Sequence, residues 1–174
     1  MGILKGLIFA VALTLVGVMR KLSAPQDSVL GRLGNSGNFV DVDRHPEAEQ
    51  APHLLIFRPN GMLFFANANR VRNHLRELTK QSDRPLHAVL INLEASPEID
   101  VTSLEMLEQL RSELEGSGVS LYFARVADRV CDLFDRSGFT ERIGSHRIFP
   151  GVDSAVSAFL KDDDRAEKLD QAHA

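Results

Sequence analysis

The residues best placed to do chemistry are Asp100, Thr102 and Ser103. They follow an apolar run, His87 to Leu93, and open a second run whose apolar residues recur at helical spacing. A carboxylate just ahead of a helix accepts hydrogen bonds from the N–H groups of the first turn, and hydroxyls at that end meet the same positive field. Glu94 and Glu98 extend the carboxylate group into the preceding loop. No base or nucleophile pairs with them in the sequence, so the cluster points to a regulatory or partner-facing turn rather than to catalysis. The plainer alternative is a capped helix and nothing more.

Other chemistry is thinly represented. There is no glycine-rich phosphate loop, no serine nucleophile elbow and no His/Cys metal spacing. Asp41, Asp43 and His45 alternate and can face one way, but they lack the glycine and distal carboxylate of a calcium loop. Cys131 falls beside core positions of a short helix and reads as a small packing residue. The expectation is a non-enzyme with no metal and no cofactor.

Composition narrows the class further. A chain of 174 residues has room for one ordinary domain, and a net charge of −4 leaves no electrostatic footprint for nucleic acid. The single cysteine fits a reducing compartment.

The elements that must position the Asp100 turn follow from the pattern. Residues 1–22 are almost wholly apolar, with Lys5 near the start and Arg20-Lys21 at the end. Three readings compete: a membrane helix or the end of a longer one, a secretory signal cleaved near Ser23-Ala24, and a buried core helix. The basic residues that follow favour a membrane helix with a cytoplasmic remainder. Residues 23–52 are rich in Pro and Gly and read as a linker with a first short strand near 38–42.

The folded domain is expected over 53–161. Leu54-Leu55-Ile56-Phe57 reads as a strand, Pro59-Asn60-Gly61 as a turn, and Met62-Leu63-Phe64-Phe65 as the returning strand of a hairpin. Asn67 or Asn69 then caps a helix whose stripe is Val71, Leu75 and Leu78. Its basic residues Arg70, Arg72, Arg76 and Lys80 form either a solvated face or a patch for anionic lipid or a partner.

The unalternating run Ala88 to Ile91 reads as a strand covered on both faces. The helix after Asp100 buries Leu104, Leu107, Leu110 and Leu114, and Val119 to Ala124 should lie parallel to the Val89 strand. A short helix from Asp128 ends at Gly138, Ile148-Phe149 is an edge piece, and Asp153 caps a last helix. The acidic run Asp162-Asp163-Asp164 should fray that helix, leaving 162–174 as a disordered acidic tail. The fold class is α/β, with a single mixed sheet built from a hairpin and then parallel βα units. Helices lie mainly on one face, and an apolar helix precedes the domain.

Three stretches carry a resemblance. Phe57-Arg58-Pro59-Asn60-Gly61-Met62-Leu63-Phe64-Phe65-Ala66-Asn67-Ala68, the loop Ile99 to Leu104, and Arg147-Ile148-Phe149-Pro150 resemble the STAS domain shared by SulP-type anion transporters and bacterial anti-sigma-factor antagonists. The first stretch resembles the transporter branch, and residues 18–21 resemble the cytoplasmic end of the last SulP membrane helix. The resemblance implies a STAS-like fold and a regulatory, non-catalytic module of a sulfate or related anion transporter, at the inner or plasma membrane with the domain in the cytoplasm. The multi-span core that holds a transporter's substrate site is missing from these residues, which read as a carboxyl-terminal fragment, a truncated frame or a split partner.

The implied partners are the membrane, through residues 1–22, and the transporter core or another protein docking on the loop Glu98, Asp100, Val101 and Thr102. A second copy in a homodimer is a further option. By position in the antagonist branch, Thr102 is the hydroxyl that a kinase would modify, and Ser103 is left to cap the helix. Antagonist loops have glycine where this chain has Ser103. A phosphate on Thr102 would meet the helix N–H groups and the like charges of Glu98, Asp100 and Glu105, so it should alter partner binding more than stability. The alternatives are a stand-alone phospho-switch of the antagonist kind, and a module that docks a nucleotide or an acyl-carrier protein.

Overall fold

The computed structural model describes residues 2–22, 27–34, 36–82 and 84–172; within these, side chains are described except at 2, 3, 19–22 and 164–172. The proposed cleavage site at Ser23-Ala24 lies outside the described residues.

A six-stranded sheet runs in the order β2-β1-β3-β4-β5-β6, with β1 Asp27–Arg32, β2 Phe39–Asp41, β3 Leu54–Pro59, β4 Ala88–Asn92, β5 Ser120–Ala124 and β6 Ile148–Phe149. β1 is antiparallel to both β2 and β3, and β3 to β6 are mutually parallel. The parallel part follows from the helices that connect its strands. All five residues of β4 are buried, which is why its sequence runs Ala-Val-Leu-Ile without alternation.

Around the sheet stand α1 Gly2–Leu22, α2 Phe65–Gln81, α3 Val101–Gly116, α4 Asp128–Arg136, α5 Phe139–Ile143 and α6 Val152–Ala172. α2 to α5 cover one face, where Val71, Leu75, Leu104, Leu107, Leu110, Val130, Phe134 and Phe139 pack on Leu55, Phe57, Val89, Ile91, Leu121 and Phe123. α6 covers the other face, setting Val152, Ala155, Val156 and Phe159 against Leu54, Ile56, Ala88 and Leu90. The basic residues of α2 tie it to α3: Arg76 forks onto Glu113 and Arg72 meets Gln109.

Four expectations are corrected. The hairpin is absent, because both edges of β3 are already paired, with β1 and with β4. Its supposed second strand is a loop, and the helix begins at Phe65, ahead of Asn67 and Asn69. The linker is not only a linker, since residues 27–32 form β1, inside the sheet. Gly31 belongs there because a Cβ on it would stand 3.0 Å from Val42 Cγ1 and 3.1 Å from the Ala48 backbone. The tail expected to fray is helical to Ala172. Its sequence after the acidic run is rich in helix formers (Ala166, Glu167, Lys168, Leu169), and His87 Nδ1 holds Asp163 at 2.6 Å.

The membrane-helix expectation is met only as a helix. Among the described residues, no helix is long and apolar enough to cross a membrane. α1 itself runs over 21 residues, Gly2–Leu22. Leu4, Leu7, Ile8, Phe9, Val11, Leu13, Leu15, Val16 and Val18 are all exposed along it.

Candidate functional site

α2 and α3 begin beside each other, and Asp100 serves both starts. Its Oδ1 accepts the Ser103 N–H at 2.8 Å, which makes it the N-cap of α3. Its Oδ2 accepts the Phe65 N–H at 2.7 Å, the first residue of α2. One carboxylate thus satisfies an otherwise unpartnered donor on each helix. Burial opposes ionisation of Asp100, but the hydrogen bonds from Ser103 and from the Phe65 N–H outweigh it and hold the carboxyl below the usual carboxylate range.

The loop leading into α2 is tied down along its length. Asn60 Nδ2 donates to Ser28 Oγ at 2.7 Å and its Oδ1 accepts from Arg58 Nε at 2.7 Å. Ser96 Oγ donates to the Gly61 carbonyl at 3.2 Å and accepts the Leu63 N–H at 3.1 Å. Asn67 reaches back from the first turn, accepting the Phe64 N–H and donating to the Met62 carbonyl, each at 2.9 Å. Leu63 is buried as the anchor, while Met62 and Phe65 are left facing outward.

The residues singled out in the sequence separate here. Val101 and Thr102 are exposed. Ser103 is fully buried; its hydroxyl lies near enough to Asp100 to favour the ionised carboxylate, yet it makes no hydrogen bond of normal geometry. Ser103 is therefore the capped residue and Asp100 the cap, the reverse of the role expected for Ser103. Glu98 pairs with Arg129, and Glu94 with Arg125 at 3.2 Å, so the carboxylates are drawn into separate pairings.

Asp41 accepts from Ser28 Oγ at 2.6 Å and from the Asp43 N–H at 3.0 Å, whereas His45 turns to Glu47. These residues do not converge, and among the described residues no group of three or more His, Cys, Asp or Glu is placed to hold a metal. Burial, followed by the charges of Asp135, Asp128 and Asp132, pushes the Cys131 thiol up, which suits a packing residue. A cavity of about 760 Å³, lined by Asp27, His53, His74 and Arg84 among others, holds none of the Asp100 turn residues.

Two residues of the site escaped sequence reasoning, Phe65 and Ser96, and a third, Asn67, was expected as the cap itself and stands at N3 instead. Asn67 had a signal, since an amide three residues after a helix start is the reciprocal half of a capping box. Ser96 had none, because its partners lie 33 and 35 residues away.

The family model described as STAS domain matches residues 45–155 of the chain. A protein of Mycobacterium tuberculosis described as a probable sulfate transporter is 32% identical over 161 residues, covering 92% of this chain and 29% of that protein. Sulfate transporter 1.1 of Arabidopsis thaliana is 29% identical over 160 residues, covering 87% of this chain and 25% of its own length. The chain therefore spans less than a third of these curated relatives. Among solved structures, the murine Solute Carrier 26 family member A9 anion transporter superposes with a TM-score of 0.77 at 19% identity, over 87% of this chain and 25% of that one. At those identities the likeness to solved structures speaks for the fold alone. With a family model across most of the domain, the chain belongs to the STAS domain family, and the aligned relatives include sulfate transporters.

Proposed function

We propose that this chain is a non-catalytic regulatory module of a SulP-type sulfate or related anion transporter, held at the membrane through α1 with its STAS domain in the cytoplasm. The observation that carries the reading is the exposure of α1. Its large apolar side chains from Leu4 to Val18 lie open in a chain whose sheet is otherwise covered on both faces. An apolar helix without a protein partner is stable against hydrocarbon or against other membrane helices. The Asp100 turn then serves as the docking point, with Thr102 as its exposed hydroxyl.

Fractionation of cells expressing the full chain tests the first half. The chain is expected with the membranes, and Ile8→Lys combined with Leu15→Lys is expected to release it. An unmodified chain found in the soluble fraction would overturn the reading in favour of a stand-alone phospho-switch. Sulfate uptake through the transporter carrying this domain tests the second half. Thr102→Glu is expected to change uptake without moving the urea midpoint of the domain, and unchanged uptake would remove the regulatory role.

A further inference from the structure

We infer that Met62, Phe65 and Val101 form a docking patch for a basic, apolar protein segment. The inference rests on the docking role proposed for the Asp100 turn and names the chemistry of what docks there.

Outside α1, the large apolar side chains found exposed among the described residues are Met62, Phe65 and Val101, at 50%, 58% and 64%. Met62 lies in the loop ahead of α2, Phe65 is the first residue of α2 and Val101 the first of α3, and the two helix starts are bonded together. The Phe65 N–H bonds to Asp100, and Val101 is the next residue after that carboxylate. The loop presenting Met62 and Phe65 is fixed by Ser96, Asn67 and Asn60, so these side chains are displayed on an ordered backbone. Presentation without a further ordering cost is what a binding surface requires. Nothing in the fold needs the exposure, because the neighbouring Leu63 already supplies the buried anchor.

The surrounding charge selects the occupant. Of the arginines on the adjoining loops, Arg125 and Arg129 are paired with Glu94 and Glu98, and Arg58 is bonded to Asn60 with its charge acting on Asp41. Both oxygens of Asp100 are taken by the Phe65 and Ser103 N–H groups, whereas Glu105 is exposed one helical turn from Val101, on the same side of α3, with no ion pair among the described residues. The unmatched charge beside the patch is that of Glu105. An anionic bilayer surface would be repelled, whereas an apolar segment carrying Lys or Arg fits both the apolar surface and the acidic edge.

The test is a titration of the full chain in phosphatidylcholine nanodiscs, followed through the Met62 and Val101 methyl signals. The probe is the capped peptide Lys-Leu-Phe-Leu-Lys, and the control is Glu-Leu-Phe-Leu-Glu. The basic peptide is expected to shift both methyls, more weakly as salt rises, and Phe65→Ser is expected to reduce its affinity by about tenfold. Equal binding of the acidic peptide, shifts confined to other surfaces, or full affinity in Phe65→Ser would overturn the proposal. So would shifts of the same two methyls caused by phosphatidylglycerol in the nanodisc without peptide. Failure here leaves the fractionation and uptake results standing, and failure of those leaves this titration unaffected, so the two readings fall separately.

Discussion

The carboxylate of Asp100 accepts the backbone N–H of Phe65 at 2.7 Å, across 35 residues of sequence. That bond joins the first turn of α2 to the first turn of α3. It makes the turn a property of the tertiary structure, because the start of α2 finds the acceptor for its Phe65 N–H in the loop that caps α3.

Asp100→Ala is expected to destabilise the domain by about 1–2 kcal/mol, the usual cost of removing a helix cap, with the loss of the Phe65 contact adding to it. Asp100→Asn keeps an acceptor and is expected to cost less. Urea unfolding of both variants checks the order, and faster amide exchange at Phe65 than at the middle of α2 would locate the damage.

Acid is expected to weaken the fold through the carboxylates held low in it, which are Asp41 and Asp100 together with Glu47 and Glu108. The Ser28 hydroxyl, with the Asp43 N–H and the charges of Arg44 and Arg58, holds Asp41 low against the opposing effect of burial. Asp100 is held low as described. A carboxyl whose folded value lies below its unfolded value stabilises the fold above the unfolded value, and that contribution is lost as pH falls through the folded one. The urea midpoint should therefore be flat near neutrality and fall below about pH 4. Asp100→Asn and Asp41→Asn should each flatten the acid limb. A fall of equal steepness in the double variant would refute the assignment.

Ser103→Ala is expected to stay within about 1 kcal/mol of neutral, because removing a buried hydroxyl that makes no normal hydrogen bond relieves a desolvation cost but also withdraws its support of the ionised Asp100. Ser96→Ala is expected to cost about 1–3 kcal/mol, because it leaves the buried Leu63 N–H unsatisfied. Comparing the two urea midpoints, with amide exchange at Leu63, decides the matter.

Gly31→Ala is expected to cost about 1–3 kcal/mol by overpacking between Val42 and Ala48. A companion Val42→Ala substitution should recover part of the loss, and a thermal melt of the single and double variants measures it. If the companion change only adds to the loss, the crowding at Val42 is not the cause.

Much of the domain was legible from periodicity. The stripe Leu104, Leu107, Leu110, Leu114 and the uninterrupted apolar β4 lie where the pattern puts them, because burial on one or both faces leaves a repeat of fixed period. The region before Leu54 was not legible. β1 carries Ser28 and Gly31 at positions set by a polar network and by close packing, and both residue types signal breaks when read locally. The run Met62 to Phe65 misled in the other direction: its apolarity belongs to a buried anchor and an exposed patch, not to a strand. At the Asp100 turn, the cap was readable from spacing. The Phe65 bond and the burial of Ser103 were not, since both depend on a loop that arrives from another part of the chain.

β1 also sets how force enters the domain. The sequence passes from the end of α1 at Leu22 to β1 at Asp27, and Asp27 stands opposite Pro59, where β3 runs out into the Asn60-Gly61 loop. A pull on the amino-terminal end of β1 would load the first rung of the β1–β3 ladder, close to the loop that carries Met62 and Phe65. Peeling that rung takes Ser28 away from Asn60 and so removes one of the bonds that tie the loop down. Because β1 lies inside the sheet, a load on its amino-terminal end reaches the loop that carries Met62 and Phe65 through the bond from Asn60 to Ser28.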